Sequence, residues 1–268
     1  GQPMNNIAFL GGGNIATAII GGLLNTGYAG TDISVADPDQ KQCRKLSQMG
    51  VSIASTNSQA AQNADVILIC VKPDQVEIAA TAIVPLRPDQ LVISVAAGIN
   101  TTSLKQWLGS ANLVRCMPNT PALIGEGMMA LFAETELSQA HRSLATTLMS
   151  AVGETRWFQQ ESDLDVVTAI SGSGPAYFFY LMESLIDAAI ALGLDDQAAR
   201  QLVLQTALGT AKMAKGNAAS PQELRIHVTS PGGTTQAACT VLKDQQLPAI
   251  IVKAVTAAQQ RSVELGKG

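Results

Sequence analysis

The sequence predicts an α/β fold in which an N-terminal, doubly wound parallel sheet is followed by an all-α helical domain. In the first part of the chain, short apolar runs bounded by turn residues alternate with stretches of helical periodicity, a pattern typical of parallel strands joined by helices. After about residue 162 the β-branched runs stop and only helical patterns remain. The predicted domains are therefore residues 4–162 and residues 163–268.

Five buried strands are predicted first, because each run is short, rich in β-branched residues and flanked by turn residues. They are Ile7–Leu10, Ile33–Ala36, Val66–Val71, Leu91–Val95 and Leu113–Cys116. Two later runs, Met128–Phe132 and Thr155–Phe158, are expected as edge strands. The helices predicted between and after the strands are Ile15–Leu24, Gln40–Met49, Val76–Val84 and Ser138–Val152.

The helical half carries clear helix boundaries. Glycines close the first two predicted helices, Ala176–Leu192 and Asp196–Lys215. A capping sequence at Ser220–Glu223 starts a short helix, another helix follows Gly232-Gly233, and Pro248–Leu265 forms the last one. Because these helices are apolar around much of their circumference, we expect a second subunit to cover part of them.

Composition limits the possible partners. The 268 residues are 47% hydrophobic and 14% charged, and 17 basic residues stand against 21 acidic ones without a basic run, so nucleic acid binding is not expected. The four cysteines are widely spaced and there are only two histidines, which predicts free thiols and no metal site. The start of the chain has neither the basic region of a signal peptide nor a long enough apolar span, so a soluble cytoplasmic protein without membrane contact is expected.

A glycine-rich loop follows the first predicted strand. The segment Gly11–Ala16 fits the pattern G-x-G-x-x-A and opens a helix. In this pattern Gly11 makes the tight turn, Gly13 lets the backbone approach a pyrophosphate, and Ala16 allows close packing of helix and strand. Such loops are common, but this position at the first strand–helix junction predicts a Rossmann-like dinucleotide-binding domain.

Asp37 ends the second predicted strand. A carboxylate at this position would bind the ribose hydroxyls and repel a 2′-phosphate, which favours NADH over NADPH. Alternatively, Asp37-Pro38-Asp39 is a turn that caps the next helix. Both interpretations stay open, because Asp39 can cap the helix while Asp37 binds the cofactor.

Later strand ends should line the same cofactor, since ligands of open α/β sheets bind outside the carboxyl ends of the strands. The segments concerned are Cys70–Pro73 and Ala96–Gly98. Lys72 can approach a phosphate or the nicotinamide edge, or it is a solvated surface lysine. Asn119, in the proline-bounded loop Arg115–Pro121, contacts the cofactor or bonds its own backbone.

Two small-residue loops in the helical half run into predicted helices. They are Ser171–Ala176 and Ser230–Thr235. A helix N-terminus offers free N–H donors, which suit the carboxylate of a small anionic substrate. The alternative is that these serines and threonines only cap helices.

These motifs, in this order, strongly resemble the pyrroline-5-carboxylate reductase family. The resemblance covers nearly the whole chain from Met4 and is carried by Gly11–Ala16, Val71–Pro73, Arg115–Pro121, Val167–Ala176 and Val228–Thr235. It implies that NADPH or NADH gives hydride to the imine of 1-pyrroline-5-carboxylate and yields L-proline, the last step of proline biosynthesis. It also implies homodimers interlocked through the helical domain, often assembled into decamers, with the active site at the dimer interface.

The resemblance also implies roles for individual residues. At the substrate it places Glu161 and Thr234, with Thr235 as the catalytic hydroxyl facing the imine nitrogen, and the substrate carboxylate would sit in the loop formed by Ser230, Gly232, Gly233, Thr234 and Thr235. Together with Asn119, the expected cofactor residues are Leu10, Gly11, Gly12, Gly13, Asn14, Ile15, Asp37, Asn57, Cys70, Val71, Lys72, Pro73, Ala96, Ala97, Gly98 and His227. Two positions depart from the family pattern: members that use NADPH often have an Asn-Arg or serine-rich turn at Asp37-Pro38, and asparagine is frequent at position 227.

Two other functions compete with this interpretation. A related two-domain hydroxyacid dehydrogenase would need a proton donor, commonly a lysine on the long helix of the second domain, but Ala176–Leu192 contains none. A non-catalytic NAD(P)-binding redox regulator would keep the Gly11–Ala16 loop but would not need Ser230–Thr235.

Overall fold

The computed structural model describes residues 5–109 and 111–267, so the predicted domain ends at Met4 and Gly268 lie outside the described residues. Packing separates two units. The sheet unit extends to Ser173 and includes the chain again from Ala258, and the helical unit is Gly174–Ala257. The sequence places the division at residues 162 and 163, so the short segment up to Ser173 and the end of the last helix are assigned differently by packing.

The sheet unit contains one sheet of eight strands among the described residues, in the order β3-β2-β1-β4-β5-β6-β7-β8. The strands are β1 (Ile7–Leu10), β2 (Ile33–Ala36), β3 (Ser52–Ile53), β4 (Val66–Ile69), β5 (Leu91–Ser94), β6 (Asn112–Met117), β7 (Gly127–Phe132) and β8 (Gly153–Phe158). Strands β1 to β6 are parallel, with Leu10 opposite both Ala36 and Ile69. The order reverses direction between β1 and β4, which is the switch point where doubly wound sheets bind ligands.

Seven α-helices of the described residues accompany this sheet. They are α1 (Asn14–Asn25), α2 (Gln40–Gln48), α3 (Asn57–Gln62), α4 (Val76–Thr81), α5 (Thr101–Leu108), α6 (Gln139–Met149) and α7 (Asp163–Val167). The sheet separates two large clusters of buried apolar side chains, one packed with α1 and α6 and the other with α3, α4 and α5. Burial on both faces explains why the central strands read as continuous apolar runs.

The prediction of Met128–Phe132 as an edge strand was wrong, because β7 lies between β6 and β8. Strand β7 runs antiparallel to β6, and β8 runs parallel to β7. The short connection after β6 contains a 3₁₀ turn that ends at Gly125 in the left-handed conformation, so the chain reverses without a helical crossover. The small elements β3, α3 and α5 were not predicted.

The helical unit consists of α8 (Gly174–Ala191), α9 (Asp196–Lys215), α10 (Pro221–His227), α11 (Thr234–Asp244) and the first part of α12 (Leu247–Gly266). Helix α9 has the predicted bounds, and Gly193, at φ +106, follows α8 in the left-handed conformation expected of a helix-terminating glycine. Helices α8 and α9 pack on each other. In the part of the chain that the structure describes, no helix is long and apolar enough to cross a membrane.

Candidate active site

The glycine-rich loop has the geometry that a dinucleotide phosphate site needs. Gly11 has φ +98, and a Cβ atom there would lie 2.9 Å from the carbonyl carbon of Cys70, so only glycine fits this turn. A Cβ atom on Gly13 would meet nothing within 4 Å, which leaves an open approach to the backbone. Helix α1 begins after Gly13 without a side-chain cap or an acidic residue in its first turn, so its N–H groups can bind phosphate.

Two side chains clamp the middle glycine of this loop. The backbone N–H of Gly12 donates to Asp37 Oδ2 at 2.8 Å, and the Gly12 carbonyl accepts a hydrogen bond from the Gln42 side-chain amide. Asp37 Oδ1 accepts from the Asp39 N–H at 2.8 Å, while the Asp39 carboxylate accepts from Lys41 N and caps α2. Asp39 therefore caps the helix, while Asp37 accepts hydrogen bonds from the glycine loop and from its own turn. The part played by Gln42 was missed.

The ends of β4 and β5 lie at the same edge of the sheet as this loop. The Cys70 N–H donates to the Leu10 carbonyl at 2.7 Å, and the Val95 N–H donates to the Ile69 carbonyl at 3.1 Å. Burial, with a smaller contribution from Cys116, raises the pKa of the Cys70 thiol, so Cys70 is a neutral packing residue beneath Gly11. The Lys72 side chain is exposed, and Asn57 starts α3 just beyond β3.

Glu161 joins three parts of the sheet unit. Its Oε2 atom accepts hydrogen bonds from the Thr101 N–H at 2.8 Å, from the Thr101 hydroxyl at 2.7 Å and from Arg115 Nη1 at 2.9 Å. The ion pair is shielded, with the side chains of Arg115 and Glu161 only 11% and 28% exposed. Sequence reasoning placed Glu161 at the substrate and missed Thr101 and Arg115 as its partners.

Asn119 uses both ends of its amide within the protein. Its Nδ2 donates to the Ser171 carbonyl at 3.1 Å, and its Oδ1 accepts from the Met128 N–H at 2.8 Å. The side chain therefore fixes the loop between β6 and β7, through partners outside its own turn, which neither interpretation from the sequence included.

The interpretation of Ser171–Ala176 as a loop throughout was wrong. A π-helical turn, Thr168–Gly172, follows α7 directly, and the Ser173 N–H donates to the Thr168 carbonyl at 2.7 Å. Residues 168–172 are therefore helical, and the segment is not a loop throughout, as the sequence suggested. The small residue at 172 has a packing reason, since a Cβ atom there would lie 2.9 Å from Met117 Cε.

The second small-residue loop does open a helix. Helix α11 begins at Thr234 after Gly233, which supplies no side-chain cap, and Gly232 has φ +73. The Gly233 N–H bonds the Ser230 carbonyl at 3.1 Å, which closes the turn, and both Thr234 and Thr235 are exposed in the first helical turn. His227 is the exposed last residue of α10. This end of the helical unit therefore presents hydroxyls and helix N–H donors without a charged side chain in the first turn of α11.

Comparison with known proteins covers both units. The family model described as "Pyrroline-5-carboxylate reductase dimerisation" matches residues 161–265, and one described as "NADP oxidoreductase coenzyme F420-dependent" matches residues 6–98. Pyrroline-5-carboxylate reductase of Pseudomonas aeruginosa is 44% identical over 264 residues, which is 97% of each chain. The enzyme of Pasteurella multocida is 43% identical over 269 residues, 98% of each chain.

Solved structures agree with these sequence matches. A pyrroline-5-carboxylate reductase from Coxiella burnetii has a TM-score of 0.92 and 40% identity, with 98% of this chain and 99% of the other covered. The pyrroline carboxylate reductase of Plasmodium falciparum, solved with NADP bound, has a TM-score of 0.89 and 30% identity, with 99% and 100% covered. The resemblance in the motifs is thus confirmed along the full length, and the chain belongs to the pyrroline-5-carboxylate reductase family.

Proposed function

We propose that the chain's own residues divide the reaction between the two units, with the dinucleotide on the sheet unit and the substrate carboxylate on the Ser230–Thr235 loop. As a pyrroline-5-carboxylate reductase, the protein is an NAD(P)H-dependent oxidoreductase of proline biosynthesis. Family membership thus decides against the hydroxyacid dehydrogenase and the redox regulator. The observation that carries the proposal is the pair of uncapped helix N-termini, at α1 and at α11.

The cofactor site is proposed along the carboxyl ends of the parallel strands. The loop Leu10–Ile15 would hold the pyrophosphate, and Asp37 would bind the adenosine ribose. The segments Cys70–Pro73 and Ala96–Gly98 would contact the rest of the dinucleotide. Asn57 and His227 complete the proposed set, and Asn119 would join it through the second N–H of its amide, since the first bonds Ser171. Both Asp37 oxygens face backbone N–H groups, so its charge stays beside the glycine loop, which supports a preference for NADH.

When bound, the nicotinamide supplies the hydride that reduces the imine carbon. The loop of residues 230–235 would hold the substrate carboxylate through its hydroxyls and its free N–H groups, since those of Gly232 and Gly233 already bond Gln236 and Ser230. The Thr235 hydroxyl would donate a hydrogen bond to the substrate nitrogen. A protonated imine is already electrophilic, so orientation of the reacting atoms can supply much of the acceleration. The absence of a charged acid or base from the first turn of α11 agrees with this mechanism.

Assembly and location belong to the same proposal. The match to the dimerisation model makes the protein a homo-oligomer, and we propose a homodimer formed through the helical domain of residues 163–268. The proposed compartment is the cytoplasm. Four cysteines of the described residues, at 43, 70, 116 and 239, are free thiols, which a reducing compartment maintains.

A Thr235→Ala variant tests the proposed catalytic hydroxyl. Loss of a hydrogen bond to the reacting group should lower kcat roughly a hundredfold, while the affinity for NADH stays within about twofold because the cofactor is held by the sheet unit. Initial rates of NADH and NADPH oxidation with 1-pyrroline-5-carboxylate, and with a 2-oxoacid as control substrate, measure this. Thr240→Ala, an exposed threonine later on α11, is the matched control. An unchanged kcat for Thr235→Ala would refute the role.

A further inference from the structure

We propose that Glu161 is a positioning residue, which holds the turn between β5 and α5 (residues 95–100) in place beside the reacting end of the cofactor. The proposal rests on the cofactor site described above. It gives Glu161 a role different from the substrate contact that the resemblance implies. Three sets of contacts within the sheet unit support it.

The first set fixes the end of the turn. Thr101 is the first residue of α5, and both its N–H and its hydroxyl donate to Glu161 Oε2. The same oxygen accepts from Arg115 on β6, so the carboxylate is oriented by a shielded ion pair. A charged acceptor with three donors on one oxygen holds its partners in one geometry.

The second set fixes the middle of the turn. Gly98 has φ +77, and a Cβ atom placed there would lie 3.4 Å from Leu265 Cβ and 3.5 Å from the Gly266 nitrogen. The end of α12 is thus packed directly on the Gly98 backbone. A Cβ atom on Gly266 would in turn lie 3.0 Å from the Gly98 carbonyl oxygen, so this approach leaves no room for a side chain.

The third contact links these two supports. The hydroxyl of Ser262 on α12 donates to Asp165 Oδ1 at 2.7 Å, and Ser262 is only 5% exposed. Asp165 lies on α7, one helical turn after Glu161. The segment 161–165 therefore contacts α5 through Thr101 and α12 through Ser262. Because α12 also packs on Gly98, the end and the middle of the turn are held by one connected set of contacts.

The turn matters for chemistry because of its place along the sheet. Asp37 marks the adenosine side at β2, the glycine loop follows β1, and the strand order continues through β4 to β5. A dinucleotide that crosses the switch point in this direction places its reacting end toward the end of β5. A displacement of the turn would shift the hydride donor relative to the imine, and a shift of about 1 Å can cost on the order of a hundredfold in rate.

Steady-state kinetics of Glu161→Gln and Thr101→Val test this proposal. Glu161→Gln should lower kcat about tenfold, with the KM for 1-pyrroline-5-carboxylate changed by less than about twofold. Thr101→Val, which keeps the shape of the side chain, should lower kcat in the same direction by a smaller factor. The double variant should be no slower than Glu161→Gln alone, because both changes break the same hydrogen bond.

Glu134→Gln is the matched control. Glu134 pairs with Lys105, which also lies on α5 but away from the turn. Its loss should leave kcat unchanged even if Tm falls as much as in Glu161→Gln. Tm values of all variants are measured alongside the rates.

Two outcomes would overturn the proposal. A KM for the substrate raised more than about tenfold in Glu161→Gln, with Thr101→Val like the wild type, would make Glu161 a substrate ligand. Equal kcat values for Glu161→Gln and Glu134→Gln would show that the contacts of Glu161 stabilise the fold but do not position the cofactor. Failure of the wild-type protein to bind NADH or NADPH would instead refute the proposed cofactor site, so the two failures are distinguishable.

Discussion

At the scale of single residues, the carboxylate of Asp37 is held in place beside the proposed cofactor site. It accepts hydrogen bonds from the Gly12 N–H and the Asp39 N–H, so its position is determined by the backbone of the glycine loop and of its own turn. A fixed negative charge at the end of β2 favours ribose hydroxyls and disfavours a 2′-phosphate. We propose that this turn influences cofactor choice as well as capping the helix.

Asp37→Asn isolates the charge from the shape. The amide oxygen can still accept one backbone N–H, but the repulsion of a 2′-phosphate is lost. We expect the ratio of kcat/KM with NADH to kcat/KM with NADPH to fall by about tenfold or more. The comparison is made from initial rates with each cofactor at a saturating concentration of 1-pyrroline-5-carboxylate.

Asp39→Asn provides the control for this change, because it removes a charge two residues away and keeps an oxygen that can cap α2. Its cofactor ratio should stay close to that of the wild type. If both variants shift the ratio equally, a general loss of negative charge at the turn is responsible, and the specific role of Asp37 is refuted.

At the scale of elements, two glycines of one loop are required for different reasons. Gly11 is required by the fold, since its φ of +98 and the Cys70 carbonyl exclude a side chain. Gly13 faces open space and is required only if a phosphate approaches its backbone. Replacing each by alanine therefore separates folding from cofactor binding.

Gly13→Ala should keep the free energy of unfolding within about 1 kcal/mol of the wild type and weaken NADH binding about tenfold or more. Gly11→Ala should lose about 2 kcal/mol or more of stability, because alanine is strained at this φ. Urea unfolding gives the stabilities, and NADH fluorescence titration gives Kd. Wild-type affinity in a folded Gly13→Ala protein would show that the pyrophosphate does not approach this glycine.

The same elements show what local sequence can and cannot predict. Strands β1 and β2 were predicted with their observed bounds, because short buried runs flanked by turn residues have few alternative structures. The two-residue strand β3 is too short to have a periodicity. The Ser171–Ala176 segment was interpreted as a loop before a helix because Ser and Gly are typical of caps, whereas a π-helical turn occupies the chain up to Gly172.

The candidate site likewise has a part that local sequence predicts and a part that it does not. The glycine loop is a local pattern, so its residues could be identified from the sequence. The contact of Glu161 with Thr101 joins residues 60 positions apart, and the contact of Ser262 with Asp165 joins residues 97 apart. No spacing rule relates such pairs, because they meet only once the sheet and its covering helices are packed.

At the scale of the whole molecule, the helical unit exposes more apolar surface than one subunit can leave in water. On α8 the consecutive residues Phe178, Phe179, Tyr180 and Leu181 are 64%, 64%, 71% and 57% exposed. Consecutive residues point around the helix, so one neighbouring helix cannot cover them all. Exposed apolar surface of this extent is typical of an interface, and the dimerisation family model covers this helix.

Phe179→Glu should therefore break the assembly. A charge placed at an apolar contact loses its hydration without gaining a partner, and we expect subunit affinity to fall by about a hundredfold or more. Sedimentation at micromolar concentration, with activity measured on the same samples, should show smaller species and reduced turnover. Ile78→Glu on α4 is the matched control, since Ile78 is 63% exposed but lies outside residues 161–265. A Phe179→Glu protein that sediments like the Ile78→Glu protein would show that this part of α8 is not buried by a second subunit.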